Sequence, residues 1–174
     1  TRLRFCVDEN KMSQIQEFLY LGDMFRADDL TFLQGEEITH IVAVGNLLSI
    51  NFPGLFSYMQ VDIKDTKDAD LGQYFDAINA FIDEARGRGG KIFIHCAMGV
   101  SRSSAVTIAY LMHSRGWSHK KSYGYVLKRH RRTEPNQGFY RQLKAYNEVL
   151  KERRVQEELT NATSKAKTLD KIVA

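Results

Sequence analysis

The chain contains 174 residues, which is enough for one domain with a sizeable hydrophobic core. Hydrophobic residues make up 43% and charged residues 26%, an ordinary balance for a soluble globular protein, and the net charge of +4 suits acidic partners without requiring nucleic acid. No run of about 18 apolar residues and no charged-then-apolar leader occurs, so we expect neither a membrane span nor a signal peptide. The first residue is Thr1, which is consistent with a fragment.

The cysteine content points to a reducing compartment. Cys6 and Cys96 are too few for a disulfide framework, and a reactive thiol needs reducing surroundings. We therefore expect a cytoplasmic or nuclear location. No group of His, Cys and Asp has the spacing of metal ligands, so we expect no metal and no cofactor.

The first third of the chain predicts two strands and one short helix. Residues 1–14 show little pattern and are expected to form a loosely packed arm. Residues 15–21 alternate and predict a strand that ends in a turn at Gly22 and Asp23. Asp28 and Asp29 are suited to start a helix that ends at Gly35, and residues 38–44 predict a strand buried on both faces.

The middle of the chain alternates strands with helices. Residues 56–63 predict a third strand, followed by the polar loop 64–70. Asp70 and Gly87 have the chemistry of the two caps of an amphipathic helix, and residues 91–94 have the length and β-branched content of a buried strand. Residues 104–112 are apolar almost all round, as in a helix buried in a core.

The last third of the chain predicts helices only. Ser118 is suited to cap a helix that runs to His130, and a further helix is expected to start at Pro135 and Asn136. From Lys151 the sequence becomes polar, which predicts a helical extension that frays into a tail. The alternation of strands and helices favours an α/β fold whose central strand is residues 91–94.

One loop carries the chemistry. It joins the strand at residues 91–94 to the buried helix, and its sequence is His95-Cys96-Ala97-Met98-Gly99-Val100-Ser101-Arg102-Ser103. Unpaired N–H groups and the helix dipole favour an anion at such a position. Five residues separate Cys96 from Arg102, so the loop can curl its amides around one tetrahedral anion. The sequence predicts a phosphate-binding loop that contains a nucleophile; the alternative is a buried cysteine beside an incidental arginine.

Each residue type in this loop has a separate purpose. The helix N-terminus and a nearby cation favour the ionised form of a thiol, so Cys96 is expected to attack as a thiolate. Arg102 can bind two phosphoryl oxygens through its planar fork, and Gly99 permits a tight turn. Ser103 can donate a hydrogen bond to the Cys96 sulfur and assist its departure. His95 is expected to orient the loop rather than touch substrate.

The loop resembles the signature of the cysteine-dependent protein tyrosine phosphatases. The match is the pattern His-Cys-x-x-Gly-x-x-Arg-Ser over residues 95–103, and the segments around residues 109–112 and 135–143 resemble the dual-specificity branch. The resemblance runs from about Ile15 to about Leu150. It implies a catalytic domain over residues 15–150 and a five-stranded mixed sheet flanked by helices, which leaves residues 151–174 as the helical extension and tail that the composition predicts.

The resemblance also implies a general acid. In the family this residue is an Asp just after the third predicted strand, and Asp65 occupies that place. Asp62 and Asp68 are the rival candidates. Relatives often carry an Asn that braces the phosphate loop where this chain has Ala43, and Asn46 could substitute for it.

The implied substrates are phosphorylated proteins. The variable loop positions that would bind phosphate through their amides are Ala97, Met98, Val100 and Ser101, and none is a lysine, which relatives that act on polyanionic ligands tend to have. No long insertion deepens the pocket, which favours phosphoserine and phosphothreonine as well as phosphotyrosine. The segments at residues 51–56 and 98–102 are also similar to the slingshot phosphatases. The alternatives are a non-catalytic phosphoprotein scaffold and a phosphatase for lipid, RNA 5′-phosphate or glucan.

A basic cluster follows the phosphate loop in sequence. Three interpretations of this cluster compete: a solvated helix face, a docking site for an acidic or phosphorylated partner, and a nucleic-acid site. No aromatic residues accompany it in an order typical of RNA-binding proteins, which argues against the third. We therefore expect no nucleic-acid partner, and the oligomeric state is not indicated. Its members are Lys120, Lys121, Lys128, Arg129, His130, Arg131 and Arg132.

Overall fold

In the computed structural model, which describes residues 12–173 and the side chains of 12–165, a five-stranded mixed sheet is flanked by helices on both faces. The sheet order is β1-β2-β5-β3-β4; β1 is antiparallel to β2, and all other neighbours are parallel. This confirms the expected fold class. The strands are β1 Met12–Gln16, β2 Leu19–Asp23, β3 Ile38–Val44, β4 Ser57–Val61 and β5 Lys91–Cys96.

Six α-helices and one 3-10 turn complete the described part of the chain. Helices α1 and α2 pack on one face of the sheet, and α3 to α6 pack on the other. Their bounds are α1 Met24–Ala27, α2 Leu30–Gly35, a 3-10 turn Gly72–Tyr74, α3 Phe75–Gly87, α4 Arg102–Arg115, α5 His119–Arg129 and α6 Gln137–Val173.

The central strand β5 divides its side chains between two cores, because successive residues of a strand point to opposite faces. Ile92 and Ile94 belong to the larger core under α3 to α6, and Phe93 belongs to the smaller core under α2. Helix α4 is buried along eleven consecutive residues, as its apolar composition predicts. Because β5 is the central strand, its last residue, Cys96, lies in the middle of the edge at which the parallel strands end.

The N-terminal strand differs from its prediction. Residues 15–21 do not form one strand but the centre of a hairpin, in which β1 and β2 flank a turn at Glu17 and Phe18. Residues 12–14, expected to belong to a loosely packed arm, are part of β1. Gly22 and Asp23, expected to form a turn, are the last two residues of β2. The hairpin turn lacks the Gly or Asn that usually marks a two-residue turn, so the alternating pattern runs through it without a break.

Asp23 also starts a helix that the sequence did not predict. Its side chain accepts a hydrogen bond from the Arg26 N–H and caps α1. The predicted helix at Asp29 is present as α2, where Asp29 accepts from the Phe32 N–H.

The C-terminal helix is longer than expected. Helix α6 continues without interruption to Val173, instead of fraying into a tail after Lys151. Residues 1–11, including Cys6, and the side chains beyond residue 165 lie outside the described residues. Among the described helices, none has the length and apolar composition that crossing a membrane requires.

Candidate active site

Cys96 lies at the base of the loop that joins β5 to α4. Its side chain is buried, and its sulfur accepts two hydrogen bonds, from the Gly99 N–H at 3.2 Å and from the Ser103 hydroxyl at 3.1 Å. Both donors point at the sulfur and would stabilise negative charge that develops there. The predicted contact between Ser103 and the sulfur is therefore present.

Three carbonyl oxygens of this phosphate loop, residues 96–102, are bonded to donors outside it, one in α1 and two in the connection between α5 and α6. The Ala97 oxygen accepts from the Met24 N–H at 3.3 Å, and the Val100 oxygen accepts from the Glu134 N–H at 2.9 Å. The Gly99 oxygen lies 2.7 Å from His130 Nε2. In a trans peptide the N–H points opposite to the carbonyl, so tying the oxygens outward turns the following N–H groups inward. The loop is thus arranged to bind an anion through its amides.

Gly99 is the residue that this geometry requires. Its φ of +68° is in the left-handed region, and a Cβ there would come within 2.8 Å of the Gly22 carbonyl carbon and oxygen. A side chain would therefore be strained and would push the loop away from β2.

Arg102, in the first turn of α4, is fixed on one side and unbonded on the other. Its Nη1 donates to the Ile63 carbonyl at 3.1 Å and to Asn46 Oδ1 at 3.4 Å. Its buried Nε has no hydrogen-bond partner and lies 3.5 Å from Asp65 Oδ2. Gly45 makes room for the guanidinium, since a Cβ there would lie 2.7 Å from Nη1. The unbonded Nε edge is available to a phosphoryl oxygen.

Asp65 is held over the same loop through one of its two oxygens. Oδ1 accepts from the Ser101 hydroxyl at 2.7 Å and from Asn136 Nδ2 at 2.7 Å, and Oδ2 faces Arg102. Because Oδ1 already accepts two hydrogen bonds, a proton on this carboxyl group belongs on Oδ2. The rivals Asp62 and Asp68 are both exposed and line a separate depression with Gln73.

The segment that carries Asp65, residues 64–70, is anchored mainly by helix α6. The Gln142 side chain donates to the Ala69 carbonyl and accepts from the N–H groups just after the segment, at Leu71 and Gly72. Gly138 packs directly against the Lys67 carbonyl, so closely that a Cβ could not fit. Sequence reasoning included these α6 residues only as part of a resemblance and gave them no role.

His95 is the residue of β5 that precedes Cys96. It points to the face opposite Cys96, is 2% exposed, and stacks on Phe93 with ring centroids 5.7 Å apart. Burial lowers the pKa of His95 to about 4, so the ring is neutral at pH 7. The expectation that His95 orients the loop stays a prediction.

The predicted basic cluster is divided by the structure. His130 is buried and bonds the phosphate loop, so it does not belong to an exposed basic surface. Arg132 lies 3.9 Å from the buried carboxylate of Asp23. Lys121 and Arg129 lie over aromatic rings, 4.5 Å from Trp117 and 3.5 Å from Tyr125.

Asn46, which could replace the Asn that relatives often carry at the position of Ala43, lies beside the candidate site. Ala43 is fully buried in β3, and the nearby Asn46 bonds Arg102 rather than the backbone of the phosphate loop. Among the described residues, no group of three or more His, Cys, Asp or Glu side chains could hold a metal ion.

The chain is similar in sequence and in fold to known phosphatases. The family model "Dual specificity phosphatase, catalytic domain" matches residues 19–149. Human Protein phosphatase Slingshot homolog 1 is 39% identical over 141 residues, which is 81% of this chain and 13% of that protein. Dual specificity protein phosphatase 1B of Arabidopsis thaliana is 35% identical over 139 residues, 80% of this chain and 83% of that protein. The chain spans only 10–23% of the length of the Slingshot homologues of frog, mouse and human.

A solved structure shares the fold over most of its length. The human tyrosine phosphatase-like serine/threonine/tyrosine-interacting protein superimposes with a TM-score of 0.78 at 33% identity, covering 81% of this chain and 98% of that chain.

Proposed function

This chain belongs to the dual-specificity phosphatase family, and we propose that it hydrolyses phosphotyrosine and phosphoserine or phosphothreonine in proteins through a cysteinyl-phosphate intermediate. The observation that carries the proposal is the convergence of Cys96, Arg102 and Asp65 on one loop of inward-turned amides. We assign the activity to residues 15–150 and treat residues 151–174 as a helical extension.

The first step is attack of the Cys96 thiolate on phosphorus. The S–P bond forms as the P–O bond to the leaving group breaks, with the phosphoryl oxygens held by the loop amides and by Arg102 Nε. Asp65 donates the proton on Oδ2 to the leaving oxygen, which departs as a neutral alcohol or phenol. Ser101 and Asn136 fix the other oxygen, so that Oδ2 faces the pocket.

The second step is hydrolysis of the phosphocysteine. Asp65, now a carboxylate, takes a proton from water as that water attacks phosphorus, and the S–P bond breaks to release phosphate. The Ser103 hydroxyl, 3.1 Å from the sulfur, stabilises the departing thiolate.

Protein substrates are favoured by the edge of the site. The variable loop positions carry no lysine, and Met98 is 57% exposed, so the loop offers an apolar contact to residues that flank a phosphorylated side chain. The printed names of the Slingshot and Arabidopsis relatives are names of protein phosphatases. The thiol chemistry supports a cytoplasmic or nuclear place of action.

The test is phosphate release from paired phosphotyrosine and phosphothreonine peptides, measured with EDTA present. Wild type is expected to turn over both, and Cys96→Ser is expected to lose roughly 10⁴-fold or more, because a hydroxyl is a far weaker nucleophile than a thiolate. Binding of phosphopeptide without turnover by wild type would instead indicate a phosphoprotein scaffold. Turnover of only lipid, RNA or glucan phosphates would overturn the protein substrate.

A further inference from the structure

His130 forms a buried bridge between the edge strand β1 and the phosphate loop. It follows helix α5 and is 1% exposed. Its Nε2 lies 2.7 Å from the Gly99 carbonyl oxygen, and its Nδ1 lies 3.0 Å from Ser13 Oγ on β1. His130 therefore lies on the outer side of the phosphate loop, where it bonds one of the loop's carbonyl oxygens.

The chemistry of these contacts fixes the tautomer of His130. A carbonyl oxygen only accepts, so Nε2 must carry a proton and donate it to Gly99. The pKa of His130 is lowered, chiefly by burial, with the Gly99 carbonyl and Asp23 acting against this and Arg132 reinforcing it. In the neutral ring Nδ1 accepts, and the Ser13 hydroxyl is the donor that satisfies it.

We propose that His130 is a positioning residue of the phosphate loop, and that Ser13 sets the tautomer in which it acts. The Nε2–H bond holds the Gly99–Val100 peptide so that the Val100 N–H points away from His130 and into the loop, where it binds a phosphoryl oxygen. Only the kinetic part of this inference rests on the proposed phosphatase activity; the anion-binding part does not.

Of the three donors that bond the carbonyl oxygens of residues 97, 99 and 100, only His130 donates from its side chain. The donors at Met24 and Glu134 are backbone N–H groups, which no substitution short of proline removes. The Gly99 peptide is also the one most free to turn, because Gly99 has no Cβ and adopts a φ of +68°. Loss of the His130 donor leaves a buried carbonyl without its partner, and rotation of this peptide toward the pocket would oppose an anion.

The experiment measures binding of tungstate, an inorganic oxyanion, by calorimetry, together with kcat and KM for an aryl phosphate. His130→Ala is expected to weaken tungstate binding about 10-fold and to raise KM similarly, since one net hydrogen bond of about 1.4 kcal/mol corresponds to that factor. His130→Gln, which carries an amide donor on a side chain of similar reach, is expected to recover most of the affinity. Ser13→Ala is expected to weaken binding about 3-fold through the tautomer.

His119 provides the matched control for loss of a buried ring. It is also buried on α5, its Nε2 has no partner, and it packs against Tyr123 and Tyr140 away from the loop. His119→Ala is expected to lower stability while leaving tungstate affinity within about 2-fold of wild type. Unfolding midpoints of all variants separate the loss of packing from the loss of positioning.

Tungstate affinity decides the inference. A folded His130→Ala with wild-type affinity overturns it, as does an equal loss in His119→Ala. If His130→Ala does not fold, His130→Asn replaces it, because its amide is too short to reach Gly99; wild-type affinity in that variant overturns the inference equally. Weakened tungstate binding combined with a wild type inactive on every phosphate ester would leave the positioning role standing and reject the proposed function.

Discussion

The two halves of the active site are held in place in different ways. The phosphate loop is continuous with β5 and α4, its cysteine and arginine are buried, and three of its carbonyl oxygens are bonded to α1 and to the connection between α5 and α6. The segment with Asp65 is largely exposed, and it is held by side chains of α6 and by Ser101. The proposed anion-binding loop is therefore held mainly by the strand and the buried helix that it joins, with one side-chain contact from His130, whereas the proposed acid is held mainly by side chains.

The largest effect in the comparison is expected from Asp65→Asn. The amide cannot donate a proton as a carboxylic acid does, so kcat on phosphothreonine peptide should fall about 10²–10⁴-fold. An aryl phosphate with a good leaving group should lose much less, because its departure needs little proton donation. Tungstate affinity should remain near that of wild type. An unchanged kcat on phosphothreonine peptide would place the acid elsewhere.

A smaller effect is expected from Gly138→Ala, which adds a Cβ where α6 meets the Lys67 carbonyl. The added methyl group must push the segment of Asp65 outward, so kcat on phosphothreonine peptide should fall about 10–100-fold. Gly124→Ala on α5 is the matched control, because nothing lies within 4 Å of its Cβ position. That control should stabilise the protein by about 1 kcal/mol and leave kcat unchanged. Equal kcat values in the two variants would contradict the role of the α6 contact.

A still smaller effect is expected from Asn136→Ser. Asn136 Oδ1 caps α6 by accepting from the Gly138 and Phe139 N–H groups, while its Nδ2 donates to Asp65. Serine keeps the capping oxygen and removes the Nδ2 donor. We expect a loss of about 10-fold in kcat with stability unchanged, measured by steady-state kinetics and by urea unfolding. A fall in stability without a fall in kcat would mean that Asn136 serves only the helix.

The smallest effect is expected in the pH dependence of stability, and it comes from His95 on β5. Burial lowers the pKa of His95 to about 4, against an ordinary value of about 6.5 in the unfolded chain. The unfolded state therefore binds a proton at this residue that the folded state does not, and stability falls as the pH drops from about 6.5 toward 4. Between pH 7 and pH 5 this histidine should cost about 2 kcal/mol.

The measurement for His95 is the free energy of unfolding at both pH values, for wild type and for His95→Asn. The difference between the two pH values should shrink by about 2 kcal/mol in the variant. Comparison with wild type cancels the contributions of His40, His119 and His130, whose pKa values are also lowered by burial. An unchanged difference would mean that His95 is protonated as readily in the folded state as in the unfolded one.

The sequence predicted an element correctly where all the residues that define that element lie in one short segment. β3 was predicted at its observed bounds, and the N-caps Asp29 and Ser118 bond the N–H groups expected of them. It was wrong at the β1–β2 hairpin, at the end of α6, and at the caps of α3, which are Tyr74 and Arg88 instead of Asp70 and Gly87 because a 3-10 turn precedes the helix. The turn at Glu17 and Phe18 carries no turn residue, and α6 continues where the composition alone favoured a tail.

The sequence by itself determined the chemistry of the phosphate loop, because Cys96, Arg102 and Ser103 share one strand-loop-helix segment whose geometry is local. Only the tertiary structure decided what holds that loop and its acid in place. Ser101 and Asn136 meet Asp65 from 36 and 71 residues away, and His130 joins Gly99 to Ser13 across 31 and 117 residues. Such contacts leave no periodic or compositional signal, since each depends on which strands and helices are neighbours in the fold.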